Sequence, residues 1–286
     1  MSSPYIVVIG AARSGTKILR DTLASAFGIG CVPYDIGYVW RLGNQAHPDD
    51  LLTASMLSSQ TARYIRHFID KYRSDASQPV IEKTVGNTLR VPVVDAVLPD
   101  ARYIHLIRDG ADVVESAARQ WQAKPSLRYI VRKARHFPVR LAPSYGTRYV
   151  RSLAERSKHD DRRVATWGPR YPGIDRDLQN GSLHSVCARQ WTWSVSQARA
   201  DFASLGIQPF ELRYERLVRE PDRVLDELAA SLELELDVRG RDESASRITD
   251  TRQGSGREWF DTQTSALLEG EMGELLAALG YEPVSR

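Results

Sequence analysis

The sequence predicts an α/β domain with a central parallel sheet flanked by helices. Three observations lead there. Short apolar runs at Tyr5 to Ile9 and Tyr103 to Ile107 read as strands buried on both faces, an amphipathic helical pattern follows each of them directly, and the two alternate along most of the chain. With 286 residues the chain is long enough for one large domain, 1–286, whose core needs no covalent staples.

Each element follows from its local pattern. The strand Tyr5 to Ile9 leads into Gly10-Ala11-Ala12-Arg13-Ser14-Gly15-Thr16-Lys17 and then into helical spacing at Ile18, Leu19, Leu23 and Phe27. Strand, glycine-bounded loop and helix start bring backbone N–H groups, a hydroxyl and the cations of Arg13 and Lys17 to one point, which makes an anion site. This is a P-loop-type arrangement and implies three layers, helix on sheet on helix. A Walker loop ends Gly-Lys-Ser/Thr, whereas here Thr16 precedes Lys17 and Arg13 stands inside the loop. The loop suits a phosphate-like group and departs from an ATP–magnesium site.

Val80 to Thr84 reads as a short strand with a polar end, followed by a helix near Val93 to Leu98 that stops at Pro99. Arg102 to Ile107 is the second strong strand, and Asp109 to Trp121 a helix with Asp109 at its N-terminus. Between Pro125 and Gly181 the pattern turns irregular, basic and aromatic. Residues 122–182 carry 14 Lys/Arg against 5 Asp/Glu, although the whole chain is only +3. We read 122–182 as an insertion or lid within the domain. Regularity returns with a helix from about His184 to Leu205, a strand at Pro209 to Arg213, a helix from Pro221 to Leu232, and a last helix near Leu267 to Leu279, preceded by the Gly-rich loop Arg252 to Arg257.

Composition excludes several classes. Two cysteines, Cys31 and Cys187, are too few for a disulfide framework, and no His/Cys/Asp cluster has metal-ligand spacing, so no metal is expected. No apolar run approaches the roughly 20 residues of a membrane span, and a cytoplasmic, soluble protein is the expectation. The basic stretch lacks a nucleic-acid-binding motif, and an anionic ligand already accounts for its sign.

A second anion site follows the strand at 103–107. It ends in Arg108, which can clamp a phosphate bidentately, and Ser116 stands eight residues further on with a hydroxyl for the same group. Because ligands gather at the carboxyl ends of parallel strands, Arg108 is expected on the same rim as the loop at 10–17. Arg13-Ser14-Gly15-Thr16, the strand end Glu82-Lys83-Thr84, and Arg108 with Ser116 together resemble the sulfotransferases that use 3′-phosphoadenosine 5′-phosphosulfate (PAPS), among them bacterial, glycan and tyrosyl-protein members. The resemblance implies that the loop from Arg13 to Lys17 takes the 5′-phosphosulfate, and that Arg108 and Ser116 take the 3′-phosphate. Leu212-Arg213-Tyr214-Glu215 resembles the family's late Tyr-Glu motif, which puts Tyr214 near adenine. Arg252, Gly254 and Arg257 resemble its C-terminal Arg-Lys-Gly loop, with Gln253 where the family has lysine.

Sulfuryl transfer needs cations and N–H groups on the leaving side and a base on the acceptor side. Arg13, Thr16 and the amides of Ser14, Gly15 and Lys17 fit the first role. The resemblance gives Lys83 the place of the lysine that reaches the bridging oxygen, and Asp35 the place of the carboxylate base. Glu82 is the rival base, but neighbours on a strand point to opposite faces, so a donor-facing Lys83 turns Glu82 away. His105, inside an apolar strand, reads as a core residue. The expected activity is transfer from PAPS, leaving 3′,5′-adenosine bisphosphate (PAP), to a hydroxyl of a glycan, glycolipid or similar small-molecule metabolite. Aromatic Thr166 to Gly173 is the candidate for acceptor contacts. A P-loop nucleotide kinase and a catalytically silent nucleotide-binding module stand as the alternatives.

Overall fold

The run Tyr5 to Gly10 forms strand β1 and is buried at every position, because a strand in the middle of a parallel sheet has no wet face. The computed structural model describes residues 4–122, 167–237, 240, 248 and 254–285. The chain divides into two compact units, Met1–Ser116 with Gly168–Arg286, and Ala117–Trp167.

In the larger unit β1 is followed by helix α1 (Thr16–Ala26), the two-residue strand β2 (Gly30–Cys31), α2 (Gly37–Trp40) and α3 (Ser59–Asp70). Strand β3 (Val80–Glu82), α4 (Val91–Val97), β4 (Arg102–Ile107) and α5 (Gly110–Gln122) come next, α5 running across the boundary between the units. After the second unit come α6 (Ile174–Asn180), α7 (Leu183–Leu205), β5 (Phe210–Arg213), α8 (Tyr214–Arg219), α9 (Pro221–Leu232), α10 (Ser255–Trp259) and α11 (Thr262–Ala278).

The five strands form one parallel sheet in the order β2-β3-β1-β4-β5. Ile6, Val8, Ile104, Leu106 and Leu212 face one side and pack with Leu19 and Leu23 of α1 and Val224, Leu225 and Leu228 of α9. On the other side Tyr103 and His105 meet Phe202 of α7, at ring-centroid distances of 5.4 and 5.7 Å. Helices therefore cover both faces, and the three expected layers are present. The chain leaves β1 toward the β3 edge and leaves β4 toward the β5 edge. Neighbouring strands with diverging connections open a crevice at their carboxyl ends. The loops after β1 and β4 stand there.

Several expected boundaries shift. The strand read as Val80 to Thr84 ends at Glu82, because residues 85–89 turn into a 3-10 helix. The last helix starts at Thr262, where Asp261 caps it by accepting the Thr264 N–H at 2.7 Å. Most of the 122–182 insertion, residues 123–166, lies outside the described residues. Its described C-terminal part is a segment and short helix in the larger unit, tied down where the Arg170 N–H donates to Asp50 Oδ2 at 2.9 Å. In the smaller unit the rings of Trp121 and Trp167 meet edge-on at 5.9 Å. No described helix is long and apolar enough to cross a membrane.

Candidate active site

The loop after β1 is built from positions that exclude side chains. A Cβ on Gly10 would stand 2.7 Å from the Leu106 carbonyl oxygen and from the Thr16 methyl. Gly15, the residue before α1, has φ +87°, and the Tyr214 ring lies against it so closely that a Cβ would come within 2.3 Å of the ring. The Ser14 N–H closes a turn on the Ala11 carbonyl at 3.1 Å, so that amide is engaged within the loop. The Ser14 hydroxyl is fully buried and has no hydrogen-bond partner among the described residues. Thr16 is buried beneath the loop. The Lys17 side chain is 72% exposed and pairs with Asp21 at 3.3 Å.

Arg108 leaves the end of β4 and lies over the Tyr214 ring, with Cζ 4.5 Å from the centroid. Its Nη1 donates to the Arg13 carbonyl at 3.4 Å, and its Nη2 is 3.5 Å from Asp112 Oδ2. Arg13, held at φ +72°, sends Nε to Ser116 Oγ at 2.9 Å. The two predicted anion sites therefore touch, with a grouping different from the expected one: Ser116 partners Arg13, while Arg108 is set by Tyr214, the Arg13 backbone and Asp112.

A polar frame fixes this rim. Trp191 Nε1 donates to the Arg108 carbonyl at 3.1 Å, and the Asp109 N–H donates to Glu215 Oε1 at 2.9 Å. Asp112 accepts the N–H groups of Gly254 and Gly256, each at 2.9 Å. Gly256 is obligatory, since a Cβ there would meet the Ala111 carbonyl group at 2.5 Å. The Arg257 guanidinium is engaged within the protein. Its Nη1 binds Asp109 at 2.5 Å, Nε binds the Pro283 carbonyl at 2.9 Å, and Nη2 binds the Glu282 carbonyl. Arg252 lies outside the described residues.

On the other flank of β1, Lys83 Nζ is 2.5 Å from Asp35 Oδ1. The lysine side chain is 7% exposed and the aspartate 33%, so the carboxylate is the member of the pair that a second molecule can reach. Glu82, named above as a rival base, points the other way. It is fully buried, its oxygens accept from Trp40, Thr84 and Asn87, and burial raises its pKa above the ordinary carboxylate value. It has no surface open to an acceptor. β1 pairs with β3 on one side and β4 on the other, so Lys83, the 10–17 loop and Arg108 follow three adjacent strand ends about 5 Å apart.

His105 is buried in the sheet, and burial lowers its pKa to about 3. Among the described residues no group of three or more His, Cys, Asp or Glu could hold a metal ion. Sequence reading missed Asp112 and Trp191. Asp112 stands four residues after Arg108, the spacing at which helical side chains meet, and that was the available signal.

Residues 44–166 match a protein-family model described as the sulfotransferase family. That stretch is similar to the sulfotransferase family. The matched stretch holds Glu82, Lys83, Arg108 and Ser116, whereas the 10–17 loop, Asp35 and Tyr214 lie outside it. No curated protein sequence matches. Among solved structures, a sulfotransferase from Alicyclobacillus acidocaldarius is 14% identical over 99% of this chain and 97% of that one, with a TM-score of 0.50. Sulfotransferase STF9 from Mycobacterium avium is 12% identical over 100% and 79%, at 0.51. Mouse sulfotransferase SULT7A1, complexed with PAP, is 10% identical over 96% and 85%, at 0.50. At these identities the likeness is one of fold, the P-loop-like fold of sulfotransferases.

Proposed function

We propose that the chain transfers a sulfuryl group from PAPS to an acceptor hydroxyl of a glycan, glycolipid or similar metabolite. The observation that carries this reading is the Arg13–Ser116 bond at 2.9 Å, with Arg108 bound to the Arg13 backbone. One continuous cationic rim at the switch point suits a ligand with anionic groups at both ends. The mouse structure complexed with PAP, a product of such a donor, supports the same reading. So does the buried Ser14 hydroxyl, an orphaned polar group of the kind an anion's oxygen satisfies.

When bound, the donor supplies the sulfuryl group on a phosphosulfate anhydride. Arg13, the Ser14 hydroxyl and the N–H groups at the start of α1 stabilise charge growing on the leaving phosphate. Arg108 and Ser116 hold the 3′-phosphate, Tyr214 lies where the adenine is expected, and the Gly254 backbone closes the rim. Lys83 serves the bridging oxygen. Asp35, already beside Lys83, accepts the proton of the acceptor hydroxyl at its outer oxygen. The 168–173 segment, braced on Asp50, is proposed for acceptor contacts, and its Tyr171 and Pro172 line an open cleft of about 380 Å³ together with Arg176, Arg189 and Trp193.

Calorimetric titration with PAP and with ATP plus magnesium separates this function from its alternatives. Micromolar binding of PAP without binding of ATP is the expected result. The reverse preference rejects the proposal in favour of a kinase, and PAP binding without any donor turnover favours a silent module.

A further inference from the structure

A carboxylate sealed from solvent stands next to Lys83 without touching anything that reacts. Glu82 is 0% exposed and accepts from three donors: Trp40 Nε1 at 3.0 Å, Thr84 Oγ1 at 2.6 Å and Asn87 Nδ2 at 3.1 Å. Burying a carboxyl group at this depth is costly unless its oxygens are satisfied, and three donors satisfy them here.

The geometry shows what the arrangement holds. Thr84 Oγ1, while donating to Glu82, accepts the N–H of Ile36 at 3.1 Å. Trp40 reaches the same Glu82 oxygen from the end of α2. Two points just after Asp35 in the chain are therefore fastened to one buried carboxylate. On the near side of Asp35, Val32 is tied to the sheet by its N–H to the Ile81 carbonyl at 2.9 Å. Asp35 is bracketed, and it points at the Nζ of the residue that follows Glu82.

We propose that Glu82 and Thr84 are positioning residues that hold the Asp35 loop so that its carboxylate meets Lys83. This deepens the sulfotransferase reading and rests on it. The hydrogen-bond inventory makes the arrangement specific. A valine at 84 keeps the shape of threonine but leaves the Ile36 N–H without its partner and Glu82 Oε1 with Trp40 as its remaining donor. A serine keeps the hydroxyl. A glutamine at 82 turns an NH₂ toward Asn87 Nδ2 or toward Trp40 and Thr84, and Asn87 cannot answer by flipping, because its Oδ1 already accepts from Arg90 Nε at 2.9 Å.

The test uses the full chain with Thr84→Val, Thr84→Ser and Glu82→Gln. PAP affinity is read by calorimetry, Ile36 amide exchange by NMR, and PAPS turnover with whichever phenol or sugar the wild type sulfates in a screen, water serving as the default acceptor. Misplacing a reacting group by about 1 Å costs on the order of 100-fold, so Thr84→Val is expected to lose roughly 10- to 100-fold in kcat while its PAP dissociation constant stays within about twofold. Ile36 exchange should accelerate in the same variant, and Thr84→Ser should restore both readouts. Glu82→Gln should follow Thr84→Val and carries the test if the valine variant does not fold. Wild-type kcat in Thr84→Val, PAP affinity falling in step with kcat, or failure of serine to restore turnover overturns the positioning role alone. A wild type that binds no PAP overturns the sulfotransferase reading beneath it.

Discussion

Replacing Arg108 by alanine tests the donor rim at its most connected residue. The guanidinium lies 4.5 Å over Tyr214, which in turn lies on Gly15, and it reaches both the Arg13 carbonyl and Asp112. On the proposed reading the substitution removes charge-assisted hydrogen bonding to a bound phosphate, worth about 1.5–3 kcal/mol. That corresponds to roughly a 10- to 150-fold weaker PAP dissociation constant. Loss of the cation from the Tyr214 face adds to this by loosening the ring that covers the loop. Calorimetry on Arg108→Ala is read against Lys17→Ala, whose side chain is 72% exposed and bound to Asp21. The lysine variant should bind PAP like wild type at moderate salt. An unchanged dissociation constant for Arg108→Ala, or equal losses in both variants, would refute the rim as described.

Further outcomes follow from other parts of the molecule. Asp35→Asn should lower donor turnover by about 10²- to 10⁴-fold while PAP still binds; near-normal turnover in a rapid-quench assay moves the base elsewhere. Leu23→Ala, in the cluster between α1 and the sheet, should cost about 2–5 kcal/mol in urea unfolding, and a cost under about 1 kcal/mol would show that the site collapses freely. His105 gives a pH signature. It is held near Phe202 with Glu211, Arg199 and Arg213 around it, and its pKa is lowered from 6.5 to about 3 by burial first and then by the two arginines. The unfolded chain binds the proton more readily, so stability falls as pH drops below about 6.5, by up to about 1.4 kcal/mol per pH unit. Wild type should therefore lose stability relative to His105→Gln between pH 6.5 and 5, and parallel curves for the two proteins would show that His105 is accessible to protons when folded.

The legible part of the fold was the part written in local pattern. β1 and β4 are buried apolar runs, and their neighbours in the sheet follow from the strand-helix alternation. What escaped was short or depended on context. β2 has only two residues at the sheet edge, too few to show a period. α3, by contrast, is legible in the sequence, with Ile65, Phe68 and Ile69 on one helical face behind the capping residue Ser58. At the site, strand alternation predicted that Glu82 and Lys83 face apart, and they do. It could not say what Glu82 does inside, because Trp40, Thr84 and Asn87 meet it only through the fold. The partners of Arg257 were illegible for a similar reason: the C-terminal carbonyls and Asp109 meet its donors only through the fold.

The two sides of the site are held in physically different ways. On the rim, the constraint is written into the backbone, for Gly10, Gly15 and Gly256 each stand where a single added carbon would collide with a carbonyl group, a methyl or a ring. Such positions let N–H groups approach an anion closely, and they act through shape alone. On the Asp35 side the constraint is a buried chain of polar bonds that continues from Ile36 and Thr84 through Glu82, Asn87 and Arg90 to Asp50, which receives the Arg170 N–H. Each link there has a chemical substitute of intermediate quality, so its loss is graded. The family match covers Glu82 to Asp50 but stops short of the glycine loop at 10–17.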